Sequence, residues 1–233
     1  MPIGILINVA AVVAGGFLGS LIGDKLPEQL KSTMTNVFGV CAMTMGVSSI
    51  PLMQNMPAVI FAVILGTLIG ILLDIDGHIR KGTGAALRKL RLSVGENERL
   101  MVTAMVLFCA SGTGIYGSLT SGMTGDHSIL IAKSILDIFT AMIFACSLGL
   151  VTSLIAVPQA VIFLILFFCA RLIFPLTTPA MVNDFKACGG LIMLATGFRI
   201  AKIKDFPIAY MIPAMILVWP ISYAWAAWIM PML

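Results

Sequence analysis

Apolar runs of bilayer-spanning length follow one another along this chain with only short polar interruptions, and that pattern leaves few folds open. A helix needs about 20 predominantly apolar residues to cross a hydrocarbon core. No water is available there to satisfy a bare backbone, so each run must close its own hydrogen bonds as a helix. Spans are predicted at about 3–23, 33–50, 57–75, 129–155, 158–174, 180–200 and 207–230, with one more starting near Leu100 and staying apolar to Ala110. The expected fold is an all-α polytopic membrane protein of about eight transmembrane helices, a single integral membrane domain over residues 1–233. Composition agrees: 60% of residues are hydrophobic and 10% charged, against about a quarter charged in soluble domains.

Punctuation sets the boundaries. Pro27 suits the first turn of a helix, Pro51 ends the second span, Pro57 opens the third, Pro158 marks a tight turn into the sixth and Pro175 follows its end. The stretch Thr120 to Ser128 reads as loop, and Trp225 and Trp228 read as an interfacial anchor. Gly15, Gly16 and Gly19, the heptad-spaced Gly39 and Gly46, and the pair Gly66 and Gly70 are helix-packing signals. So many small-residue faces on so short a chain suggest a homo-oligomer. Cys41, Cys109, Cys146, Cys169 and Cys188 lie in or beside apolar stretches without CxxC spacing, which makes them small hydrophobes; no metal or cofactor is expected. The N-terminal run lacks a basic flank, so it is expected to be a retained first span.

The net charge of +4 does not suggest a nucleic-acid partner, because its basic residues cluster between apolar runs. Eleven of the 14 Lys and Arg fall on one side of an eight-span alternation: Lys25, Lys31, the loop at about 76–99 and Arg199 to Lys204. That side should be cytoplasmic, with both termini external and the basic loop facing the anionic leaflet. A faint internal repeat lays LPEQLKSTMTNVFGVCAMTMG over TTPAMVNDFKACGGLIMLATG, matching Gly39 to Gly190 and Gly46 to Gly197. Spans one to three then correspond to six to eight, and a displacement of five spans inverts the copy, as in many secondary transporters.

Polar chemistry stands out against this background between Gly112 and Asp137. Lys133 and Asp137 lie four apart and share a helix face. Two readings stand: Lys133 snorkels to the outer interface with Asp137 neutralising it, or the pair lines a binding or permeation cavity. Asp137 is too short to snorkel. Gly112, Gly114 and Gly117 weaken the helix before the loop, either as fraying or as a discontinuous span that binds solute. Asp126 and His127 follow, as a helix cap or a proton relay. Asn8, within the first span, is a polar group that must find a partner in lipid. Asp184 and Lys186, at the entry to the seventh, are interfacial or contribute to the site. Because the alternation puts Gly112–Asp137 outside, the stretch reads as an external mouth. No HExxH, GxSxG, Walker loop or CxxC pair is present, so an enzyme is not expected.

Four stretches, INVAAVVAGGFLG at 7–19, LPEQLK at 26–31, ILGTLIGILLDIDG at 64–77 and LFCASGTGIYGSLTSGMTGDHSILIAKSILD at 107–137, resemble the YqgA-type family of bacterial inner-membrane proteins, domain of unknown function 554. The likeness covers nearly the whole chain and implies a polytopic fold in the bacterial inner membrane. It implies no activity. In the family pattern an acidic residue tends to follow the second small-xxx-small glycine of the third span; this chain has Ile71 there. The residues themselves point to a small secondary transporter or permease for a small solute or ion. The rival readings are a channel, or a scaffold or signalling protein acting through the 80–99 loop.

Overall fold

The computed structural model describes residues 1–22, 26–79, 81–82, 98–109 and 111–232, and among these it is helical with no strand. Residues 83–97, which hold most of the basic loop, and Lys25 lie outside the described residues. The principal helices are α1 (Ile3–Ile22), α2 (Glu28–Ser49), α3 (Met56–Leu72), α4 (Glu98–Cys109), α5 (Gly112–Thr124), α6 (Ser128–Leu148), α7 (Ala156–Ile173), α8 (Pro179–Ile200), α9 (Ile208–Met211) and α10 (Ala214–Ala224). Four continuous helical segments are long and apolar enough to cross a membrane: Ile3–Ile22, Glu28–Leu52, Ser128–Leu176 and Ile208–Met232. Among the described residues α3 is a shorter apolar helix, and the fourth expected span is two short helices, α4 and α5. Exposed faces are apolar, with Leu6, Val13 and Phe17 on α1 and Val161, Ile165 and Phe168 on α7. Buried polar side chains and an apolar exterior are the arrangement lipid demands.

Two boundaries differ from the sequence reading. The break expected at Pro158 falls at Gly149. Gly149 caps α6 with φ 68°, a left-handed conformation that favours glycine, and a 3-10 segment leads on to α7. Pro158 sits within the first turn of α7, where a missing N–H costs nothing. The stretch expected to be loop from Thr120 is helical to Thr124, and Gly125 ends it at φ 73°.

The chain forms two compact units. The first comprises residues 1–38 and 78–172. Here α1 and α6 run parallel in close contact: a Cβ on Gly15 would collide with the Ile138 carbonyl, and one on Gly19 with the Met142 carbonyl. Backbones can approach this way only where side chains are absent. Two apolar clusters result. One joins Val12, Phe108, Ala141, Ile155 and Ala156; the other joins Ile5, Leu130, Phe163 and Phe167.

The second unit comprises residues 39–77 and 173–233. Within it α2 and α8 cross antiparallel through glycine pairs. A Cβ on Gly46 would stand 2.6 Å from Gly190 O, and one on Gly197 would stand 2.7 Å from Gly39 O. Gly66 and Gly70 of α3 meet Ala214 and Tyr210 in the same manner. Phe185 stacks on Trp219 with ring centroids 4.6 Å apart.

A buried polar cluster at a broken helix

The two apolar clusters of the first unit are separated by a polar layer, and the helical period explains why. On α1, Asn8 lies between Ile5 and Val12 along one buried face; on α6, Lys133, Ser134 and Asp137 lie between Leu130 and Ala141; on α7, Gln159 lies between Ala156 and Phe163. Spacings of three and four keep each polar group on its core-facing stripe. Close packing of α1 on α6 then brings the groups together.

Lys133 Nζ donates to Asp137 Oδ2 at 2.5 Å, and the two residues are 3% and 6% exposed. Asn8 Nδ2 donates to the same oxygen at 2.8 Å, while Asn8 Oδ1 accepts from Gln159 Nε2 at 2.8 Å. Gln159 Nε2 also stands 3.4 Å from Asp137 Oδ2 and 3.4 Å from Phe108 O. The Lys133 ammonium lies 5.8 Å from the Phe108 ring centroid, within cation–π range. Asp137 is the tenth of the 21 residues of α6, about 14 Å along its axis. The Lys133 ammonium is turned inward onto Asp137 and does not reach outward along α6.

The α4–α5 break faces this layer. α4 stops at Cys109, and Ser111 takes extended backbone (φ −74°, ψ 141°) and caps α5 by accepting from Gly114 N at 3.2 Å. The last carbonyls of α4 lose their helical partners, and one of them, Phe108 O, is the acceptor near Gln159. α5 itself is not frayed. Gly112, Gly114 and Gly117 are buried, and a Cβ on Gly114 would strike the Phe163 ring, so tight packing holds together a helix of weak propensity.

Asp126 and His127 are not part of the cluster. They form the turn between α5 and α6, where Asp126 Oδ1 accepts from Ser128 N at 2.9 Å and His127 Nδ1 pairs with Ser121 Oγ at 2.7 Å. Asp184 and Lys186 belong to the second unit. Asp184, expected at the interface, is fully buried. It accepts from Gln54 N at 2.8 Å, Asn55 N at 2.9 Å, Asn55 Nδ2 at 2.8 Å and Ser222 Oγ at 2.7 Å, tying the α2–α3 turn to α8 and α10. Lys186 is half-buried. The residue that sequence reasoning passed over is Gln159, whose signal is a lone amide in a Phe-rich span.

The profile of the family described as "Protein of unknown function (DUF554)" matches residues 3–223. The uncharacterized protein YqgA of Escherichia coli K12 is similar, at 48% identity over 98% of this chain and 99% of its own length. The uncharacterized membrane protein YdfK of Bacillus subtilis 168 is 23% identical over 92% of this chain and 93% of its own. No solved structure matches.

Proposed function

This chain belongs to the DUF554 family, and from its buried polar cluster we propose that it is a small secondary transporter or permease whose site is centred on Asp137 and Lys133. The observation that carries the proposal is a carboxylate and an ammonium, 6% and 3% exposed, midway along an apolar helix and against a broken one. Intramembrane charges are costly and mark substrate or ion pathways, and interrupted helices supply the backbone groups that bind solutes at the midplane.

An inverted repeat of spans one to three and six to eight belongs to the same reading, and two features support it. Gly39 and Gly46, aligned in the repeat with Gly190 and Gly197, contact them in the opposite pairing: Gly39 meets Gly197 and Gly46 meets Gly190. That exchange is what a two-fold relation between equivalent helices produces. Asn8 and Gln159, 151 residues apart like the glycine pairs, hydrogen-bond to each other. Helix directions also fit eight alternating spans: α1 runs parallel to α6, and α2 runs antiparallel to α8. In this reading the protein resides in the bacterial inner membrane as a homo-oligomer, with both termini external.

The test is reconstituted flux and ligand-dependent thermal stabilisation of purified protein. Asp137→Asn and Lys133→Ala should abolish both in protein that remains folded. If both variants are silent while deletions in the 80–99 loop remove the cellular phenotype, the scaffold reading replaces transport; single-channel conductance without saturable uptake replaces it with a channel.

A further inference from the structure

One outward face departs from the apolar exterior. Between Ser32 and Ser48 the exposed residues of α2 include Thr33, Asn36, Val37, Val40, Thr44 and Val47, and no exposed residue in this stretch is bulkier than valine. Outward faces elsewhere are built from large side chains: Leu6 and Phe17 on α1, Phe61 and Ile64 on α3, Ile165 and Phe168 on α7. At 100° per residue the α2 face centres near Val40 and Thr44, about half a turn from the buried Ala42 and Gly46. Asn36 is the ninth of the 22 residues of α2, about 12 Å along its axis and inside the apolar segment Glu28–Leu52. Thr44 and Ser48 turn their hydroxyls back onto Val40 O and Met45 O. Asn36 makes no such bond: its amide is exposed and has no hydrogen-bond partner among the described residues.

Resting on the homo-oligomer part of the proposed function and not on transport, we infer that this face of α2 is the interface between two copies of the chain, related by a two-fold axis along the membrane normal. Left to lipid, the face would hold an amide donor and acceptor with nothing to pair with. Membrane helices approach one another through small side chains and interhelical hydrogen bonds, and valine keeps one dominant rotamer in a helix, so packing it costs little entropy. The glycine faces cannot serve, because Gly15, Gly19, Gly46, Gly66 and Gly70 are already met from within the chain. Whatever covers α2 must bring donors and acceptors to the depth of Asn36. A second copy does so by symmetry. Every copy is inserted in the same sense, so the axis sets the same face at the same depth, and each Asn36 meets its equivalent or the neighbouring Thr33 hydroxyl. Thr33, Val37, Val40, Thr44 and Val47 alternate spacings of four and three, the repeat along which two helices pack knobs into holes. A single polar side chain beside such a seam fixes its register. On the opposite side α2 rests on α8 through the glycine pairs, which braces the seam within each copy.

The experiment reconstitutes full-length protein, carrying donor or acceptor dye on a C-terminal peptide tag, in liposomes over a range of protein-to-lipid ratios and reads energy transfer. Transfer should rise saturably, as for a dimer. Asn36→Leu should weaken the dimer about tenfold, as loss of two symmetry-related interhelical hydrogen bonds would. Val40→Phe should abolish transfer without changing helix content, because Val40 is 57% exposed within the chain. A second arm uses oxidative crosslinking, in which the exposed Cys169 of α7 serves as the control. Val40→Cys in a Cys41→Ser/Cys169→Ser background should yield a disulfide-linked dimer, and Cys41→Ser alone, which keeps Cys169, should not. Crosslinking through Cys169 but not through position 40, or transfer unchanged in both Asn36→Leu and Val40→Phe, overturns the interface while the oligomer stands on another face. Crosslinking of position 40 to a different membrane protein and not to itself overturns it also. Absence of transfer at every ratio overturns both the interface and the homo-oligomer; the flux assay reads transport separately in each case.

Discussion

Asp137→Asn isolates the electrostatics of the buried layer because it changes charge while keeping shape. The introduced amide retains an oxygen to accept from Asn8, so that 2.8 Å bond survives in some form. Hydrogen bonds inside membranes contribute only about 0.6 kcal/mol each on average. Loss of charge is the larger effect: Lys133, 3% exposed, would keep its ammonium with no anion beside it. Removing one partner of a buried pair costs about 3–5 kcal/mol. Adding Lys133→Gln removes the stranded charge, and the double variant should return to within about 1 kcal/mol of the wild type, a coupling of at least about 2 kcal/mol. Reversible unfolding in mixed detergent and SDS micelles, run on all four members of the cycle, measures this. A single variant within about 1 kcal/mol of the wild type, with coupling near zero, would show that water already screens the pair and would refute its treatment as a buried ion pair.

Three further outcomes follow. Gly19→Val should separate α1 from α6, because its Cβ meets the Met142 carbonyl; a loss of about 1–3 kcal/mol in the same unfolding assay is expected. Asp184→Ala strands four donors from Gln54, Asn55 and Ser222, each worth about 1–3 kcal/mol when buried and unsatisfied. Hydrogen exchange should quicken at the α2–α3 turn, with Asp184→Asn milder. Reporter fusions at Thr83 should read cytoplasmic and fusions at the C-terminus external; the reverse would overturn the orientation and the repeat built on it.

Much of the helical layout was legible because lipid enforces it. The Pro and Gly punctuation located most helix ends, and the small-residue faces of α1, α2 and α3 proved to be contact surfaces. Lys133 and Asp137 were legible through their spacing, and Asn8 through being polar in an apolar run. Gln159 was not, because its partners come from helices distant in sequence and no local pattern announces them. Of the two readings of the glycines after Ser111, fraying fails because packing against Phe163 and Leu130 keeps α5 helical, while an interruption of the span does occur, just before them between α4 and α5. Asp184 misled for a related reason. Its place near the start of α8 suggests an interface, but the N–H groups left free after the Pro51 turn draw the carboxylate inward.

The most direct test of the central claim is flux of candidate solutes and ions into proteoliposomes, comparing the wild type with Lys133→Gln/Asp137→Asn. The account predicts saturable uptake of at least one of them that disappears in the double variant. Uptake of equal size in the two proteins would contradict it.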